Sequence, residues 1–122
     1  MHSSFLVVLI CIATLFSVQA APVLNKRGDH QGQGTFYNVG MGSCGKKNKD
    51  SQMVAALSGQ LMDENDYCGK KIKASTKHGS VTVTVVDTCP ECDKHDIDFS
   101  PAAFKKLGDL NDGVLDISWQ FD

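Results

Sequence analysis

Val81-Thr82-Val83-Thr84-Val85-Val86-Asp87 is the stretch whose reading decides the fold. β-branched residues alternate along it, the pattern of a half-buried strand with one apolar and one polar face. Leu115-Asp116-Ile117-Ser118-Trp119-Gln120-Phe121 alternates in the same way, with Leu115, Ile117, Trp119 and Phe121 on one side. Lys70–Ser75 (KKIKAS) places Ile72 and Ala74 inward, and His78-Gly79 reads as the turn before Val81. Gly34–Tyr37 (GTFY) is short and β-like after a polar, glycine-rich lead-in over Gly28–Gln33. Met53–Leu57 (MVAAL) is too short for periodicity to separate a buried strand from a helical turn. Asn38–Asp50, rich in Gly and Lys, reads as a loop. Ser100–Leu107 (SPAAFKKL) is the one clear helix: Ser100 suits the N-cap and Pro101 the first helical position. Phe99 and Phe104 have the spacing of a hydrophobic staple, and Gly108 is placed to end the helix in a left-handed conformation. Many short strands, one helix and no βαβ rhythm indicate a small, mainly β barrel.

The chain has 122 residues, 42% apolar and 21% charged, one domain's worth of ordinary globular composition. Twelve basic and 14 acidic side chains give a net charge of −2, so no basic excess marks a nucleic-acid surface. Phe5–Phe16 (FLVVLICIATLF) is apolar but too short to span a bilayer, and it ends at the small-residue pattern Val18-Gln19-Ala20. Residues 1–20 therefore read as a secretory signal peptide rather than a buried core helix. The pair Lys26-Arg27 resembles the processing site of Kex2-like proteases, which suggests a eukaryotic source, a fungus among them, and a propeptide over residues 21–27; a solvated charge pair in a flexible tail is the competing reading. Cleavage after Arg27 would leave 95 residues, from Gly28 to Asp122, and take the net charge to −4. The expected product is extracellular and monomeric, free of the membrane after processing, and without N-glycosylation because no Asn-x-Ser/Thr acceptor is present.

Cys44, Cys68, Cys89 and Cys92 remain after Cys11 leaves with the signal. An even number of cysteines in an oxidising compartment points to disulfides, which help a domain too small for a large core. Four cysteines allow three pairings, and sequence alone does not choose among them. The pairing expected is Cys44–Cys68 with Cys89–Cys92. Cys89-Pro90-Glu91-Cys92 has two other readings: a redox motif, or with His95 a zinc site of the form Cys-x2-Cys-x2-His. Secretion and the absence of a second ligand pair at the usual spacing favour the disulfide, so neither a metal nor another cofactor is expected.

Five acids lie between Asp87 and Asp98. Glu91, Asp93 and Asp96 read as a solvated acidic loop. Asp87 shares the parity of Val81, Val83 and Val85, so a strand regular to its end would carry its carboxylate inward and partly desolvate it. Asp98 stands just outside the stapled, capped helix start, pinned where it can act as an acid or as a hydrogen-bond acceptor for a sugar. For both, a purely structural role tying loop to barrel is the competing reading.

The order of short motifs carries a resemblance. Thr35-Phe36-Tyr37, Gly42-Ser43-Cys44-Gly45, Val54-Ala55-Ala56-Leu57-Ser58, Cys68-Gly69-Lys70, Val83–Cys92 and Asp98-Phe99-Ser100-Pro101-Ala102-Ala103-Phe104 together resemble the N-terminal domain of expansins. The likeness is closer to the single-domain, expansin-like loosenins of fungi, and it spans nearly all of the mature chain. It implies the double-psi β-barrel shared with barwin, rare lipoprotein A and family-45 glycoside hydrolases: six strands, one or two short helices and an open polysaccharide groove. It also implies that Asp98 matches an Asp required for wall loosening, that Asp87 lines the same groove, and that Thr35 and Tyr37 are first-strand groove residues. Being two apart, Thr35 and Tyr37 face one side while Phe36 faces the core. Cys89 falls where many expansins place a groove tyrosine.

The departures from these families sort the functions. Inverting glycoside hydrolysis needs a general base apart from the general acid. Where family-45 enzymes carry that base, this chain has Asn38 and Val39, and only Asp87 is left to replace it. The segment Ala55–Ser58 lacks the catalytic His of rare lipoprotein A, while His78 and His95 fall in turns expected to be exposed. The expectation is a non-hydrolytic protein that binds and loosens cell-wall polysaccharide, β-glucan or chitin, through Asp98 and Asp87. The alternatives are a protein-binding barrel like the microbial papain inhibitors, with a protease or other secreted protein as partner, and a weak endoglucanase with Asp98 as its acid.

Overall fold

The computed structural model describes residues 30–122. The expected signal peptide, the propeptide and the Lys26-Arg27 site lie outside the described residues. Six strands form: β1 (His30–Phe36), β2 (Val54–Ser58), β3 (Lys71–Thr76), β4 (Gly79–Cys89), β5 (Ile97–Phe99) and β6 (Leu115–Phe121). They close in the order β1-β5-β2-β4-β3-β6. The β1–β5 and β2–β4 pairs are parallel and the other four are antiparallel. Closure leaves no sheet edge to template aggregation.

Alternation fills the barrel. Ile72, Ala74, Val83, Val85, Ile97, Phe99 and Trp119 are buried in one cluster, the inward parity read in β3, β4 and β6. Both readings of Met53–Leu57 resolve as strand: Val54–Ser58 is β2, central between β4 and β5 and buried at every position. Ser58 then caps helix α1 (Gly59–Glu64), its hydroxyl accepting from Leu61 N. That helix went unread because a six-residue helix offers less than two turns of period.

Helix α2 (Pro101–Lys105) has the expected cap, with Ser100 Oγ accepting from Ala103 N. Gly108 does not take the left-handed conformation; positive φ among the described residues is confined to Gly45, Gly69 and Gly113. Its N–H donates to Phe104 O, and a Cβ there would meet Leu115 Cδ1 at 2.9 Å, so the position needs space rather than an unusual φ. A 3-10 turn (Leu110–Asp112), capped by Asp109, leads into β6. The glycine-rich lead-in is also different from expectation, because β1 begins at His30. Gly32 lies against the His95 carbonyl, where any Cβ would overlap it.

Both expected disulfides are present. Cys44–Cys68 has a Cα separation of 5.6 Å and Cys89–Cys92 one of 5.4 Å. Both sulfurs of the Cys-Pro-Glu-Cys segment are consumed in the second bond, which removes the thiolates a zinc site would need. His95 is not an exposed turn residue: its ring stacks on His30 at 4.9 Å, and its carbonyl accepts from the Trp119 indole at 2.8 Å. His78 is exposed, as its turn position implied.

Candidate functional site

Register brings the site together. Thr35 of β1 pairs with Asp98 of β5, Asp98 pairs with Ala56 of β2, and Ala56 pairs with Asp87 of β4. Directly opposed residues share a face, so Thr35, Asp98, Ala56 and Asp87 form one row across four adjacent strands. Adjacent strands lie about 4.8 Å apart, which sets the two aspartate backbones roughly 10 Å from one another with the small Ala56 side chain as the floor between them. A larger residue at 56 would fill that floor.

Asp87 reaches this row through an irregularity. The β2–β4 register runs Val54↔Thr84 and Ala55↔Val85, then skips to Ala56↔Asp87. Val86 is an extra residue, a β-bulge, and it reverses the facing of the strand residues beyond it. Without it Asp87 would sit opposite Leu57 in the core. The inward orientation expected from a regular strand is therefore corrected: the bulge turns Asp87 out into the groove. Loop 38–50 supports the bulge, with Cys44 N donating to Val86 O at 3.2 Å. Gly42 packs so closely on it that a Cβ would overlap Val86 O and lie 3.1 Å from Asp87 Cβ.

The four residues expected at the groove converge. Thr35 Oγ1 donates to Asp98 Oδ1 at 2.9 Å, and Tyr37 OH donates to Asp87 Oδ2 at 3.3 Å. Tyr37 stands one residue past β1, yet its N–H donates to Phe99 O at 3.0 Å and extends the pairing with β5. Phe36, between the two, packs on Phe104 with ring centroids 4.9 Å apart, as its opposite parity requires. Asp87 Oδ1 also accepts from Ser43 N and Thr88 N, each at 2.8 Å. With Tyr37 that makes three of the roughly four acceptor positions of a carboxylate.

Electrostatics separate the two carboxylates. Partial burial pushes the Asp98 carboxyl above the usual aspartate range. The Thr35 hydrogen bond opposes the shift, and the charges of Glu91 and Asp87 add to it. Burial raises the Tyr37 hydroxyl well above the ordinary tyrosine value, and the Asp87 charge and hydrogen bond reinforce this. Tyr37 is thus a neutral donor at any physiological pH.

Several residues around these four escaped the sequence reading. Ser43 and Thr88 share a hydroxyl–hydroxyl bond of 2.7 Å beside Asp87. Glu91, read as part of a solvated loop, is near enough to act on Asp98. Asp96, read likewise, accepts from Gln33 N at 2.9 Å. Asp50 closes the turn after Tyr37, accepting from Asn38 Nδ2 and Val39 N at 2.9 and 2.8 Å. No motif spacing announces these contacts; the single available signal was Gly42-Ser43 itself, a small-residue pair suited to close approach. Among the described residues no group of three or more His, Cys, Asp or Glu side chains is arranged to hold a metal ion.

The six-stranded closed barrel is a double-psi β-barrel, with Thr35 hydrogen-bonded to Asp98 and Tyr37 to Asp87 across its strands. A family model described as lytic transglycolase, of the double-psi barrel type, matches residues 29–119, and the chain belongs to that family. It is 35% identical over 128 residues to expansin-like protein 3 of Dictyostelium discoideum, covering 94% of this chain and 38% of that protein. It is 34% identical over 99 residues to the papain inhibitor of Streptomyces mobaraensis, covering 74% of this chain and 69% of the inhibitor. Among solved structures, a mutant Clavibacter michiganensis expansin in complex with cellohexaose superposes with a TM-score of 0.70 at 28% identity, over 75% of this chain and 49% of that one. The Streptomyces papain inhibitor superposes with a TM-score of 0.68 at 33% identity, over 76% and 94%. The chain thus spans about a third to a half of the expansin-like proteins and nearly all of the inhibitor's solved chain.

Proposed function

We propose that this is a secreted, non-hydrolytic, expansin-like protein that binds cell-wall polysaccharide, β-glucan or chitin, along the Thr35–Asp98–Ala56–Asp87 row and loosens it by competing for hydrogen bonds between chains. The observation that supports this reading is the row itself: a hydroxyl, two carboxylates and the small Ala56 between them share one face across four strands. The cellohexaose bound to the C. michiganensis expansin supports the same ligand class. Secretion is supported by the reading of residues 1–20 and by two disulfides.

The groove binds rather than cleaves because its second carboxylate is committed. Asp87 holds three hydrogen bonds, which leaves about one acceptor position for a water, while Asn38 and Val39 hold Asp50 in the turn beyond Tyr37. Asp98 retains the profile of an acid or hydrogen-bond donor with no partner base. A lytic activity, which the family description names, has no catalytic His in Ala55–Ser58.

A second reading, inhibition of a cysteine protease, is favoured by one observation: the chain matches 94% of the papain inhibitor's solved chain and only 49% of the expansin's. One set of assays separates the readings. Pull-down on insoluble glucan and chitin that weakens in Asp98→Ala, with no release of reducing sugar, supports the proposal. Papain inhibition that survives Asp98→Ala, without glycan binding, replaces it. Sugar release abolished by Asp98→Ala assigns the weak endoglucanase.

A further inference from the structure

A second cleft, of about 470 Å³, opens between loop 44–53, the start of β2, Cys68-Gly69 and residues 84–86 of β4. Its volume falls within the range of small-ligand sites. Met53, Val54, Val85 and the Cys44–Cys68 disulfide give it an apolar floor, while Lys46, Gln52 and Thr84 give it polar walls. Asn48 also lines it, and Asn48 Oδ1 is buried with no hydrogen-bond partner. That orphan is specific, because Asn48 Nδ2 already donates to Gln52 Oε1 at 3.2 Å, which fixes the amide's orientation. A buried carbonyl without a donor carries a desolvation cost, which a hydroxyl donor would relieve once the loop gives way to admit it.

The rim is basic. Lys71 pairs with Thr84 and Lys73 with Thr82, so both lysines stand on the outer face that Thr84 shares with the cleft. Lys46, Lys71 and Lys73 are exposed and make no ion pair among the described residues, where Lys94–Glu64 is the pair that forms. Four acids lie close along the chain: Asp50 accepts from Asn38 Nδ2 and Val39 N, Asp87 accepts from Tyr37, Ser43 and Thr88, Asp66 accepts from Cys68 N, and Asp122 N donates to Lys71 O. The row carries the opposite sign, with Asp87 and Asp98 in it and Glu91 near enough to act on Asp98.

We infer that this cleft is a second glycan site, selective for acidic saccharides of the uronate class, beside the groove on the same outer face of β2 and β4, at the Val54–Thr84 pair next to Ala56–Asp87. A uronate ring offers the matching set: a carboxylate for Lys46 and Lys71, hydroxyls for Gln52 and Thr84, and an apolar ring face for Met53 and the disulfide. The carboxylates of the row disfavour an acidic ring there and leave it to the lysine side of this face.

The test is calorimetry of the purified, secreted protein with a size-defined oligogalacturonate, with cellohexaose and linear polyphosphate as comparison probes. Wild type is expected to bind the uronate, more weakly as salt rises. Lys46→Glu/Lys71→Glu, two exposed changes checked for folding by thermal unfolding, is expected to bind it at least tenfold more weakly. Asp98→Ala is expected to leave uronate binding unchanged, which separates failure of this site from failure of the groove. The inference is overturned by absence of uronate binding, by equal binding in the double lysine variant, or by polyphosphate binding as tightly as the uronate, which would mark an unselective charged patch.

Discussion

Gly42→Ala joins the fold to the site in one methyl group. Gly42 sits against the bulge, where a new Cβ would overlap Val86 O and press on Asp87 Cβ and Cγ at 3.1 and 3.2 Å. Neither neighbour can yield easily, since one is backbone and the other is held by Ser43 N and Thr88 N. Loop 38–50 must therefore lift. Lifting breaks Cys44 N to Val86 O, a neutral bond contributing about 1 kcal/mol, and Ser43 N to Asp87, a bond to a charged group contributing about 1.5–3 kcal/mol. The Cys44–Cys68 disulfide anchors the middle of the loop and limits how far it can relax. The expected loss is about 2–4 kcal/mol, which lowers Tm by roughly 10–25 °C for a domain of this size. Thermal unfolding by circular dichroism reads the loss, and glycan pull-down should weaken with it as Asp87 loses its aim. A Gly42→Ala protein within about 0.5 kcal/mol of wild type would refute the claim that close packing of this loop holds the bulge.

The same contacts set three further outcomes. Because Asp98's folded-state pKa is raised, its contribution to stability is complete below the unfolded value of about 3.9 and is lost as pH rises through the folded value. Asp98→Asn keeps an acceptor for Thr35 and removes the charge, so its Tm should exceed that of wild type by a margin that grows from about pH 4 and then levels off; a margin independent of pH would contradict this. Ala56→Leu fills the groove floor, and overpacking a position only 2% exposed should cost about 1–3 kcal/mol in chemical denaturation while abolishing glycan binding. Replacing Cys44 and Cys68 by serine should cost about 3 kcal/mol from the 24-residue separation, and replacing Cys89 and Cys92 about 2 kcal/mol, with denaturation midpoints read side by side.

Period and local chemistry were the legible part of the sequence. Val81–Val85 and Leu115–Phe121 announce their faces by alternation, and Ser100-Pro101 announces a helix start by capping. The convergence of Thr35, Tyr37, Asp87 and Asp98 came through the family likeness of the motifs. The orientation of Asp87 was not legible, because a bulge adds one residue without leaving a composition signal: Val85-Val86 looks like continued strand. The same holds for Ser43, Thr88 and Asp50, whose roles arise from loop 38–50 folding back over β4 rather than from spacing along the chain. His30 lay in a glycine-rich stretch that reads as loop, because Gly32 serves close approach to His95 and not a turn.

The central claim is that a neutral glycan lies along one row of side chains crossing four strands. Titrating isotopically labelled protein with cellohexaose, and following backbone amide shifts, tests it most directly. The account predicts saturable shifts concentrated at Thr35, Ala56, Asp87 and Asp98, four sites far apart in sequence, with little change around Lys46 and Thr84. Shifts confined to the loops, or a row that stays unmoved at saturating sugar, would contradict it.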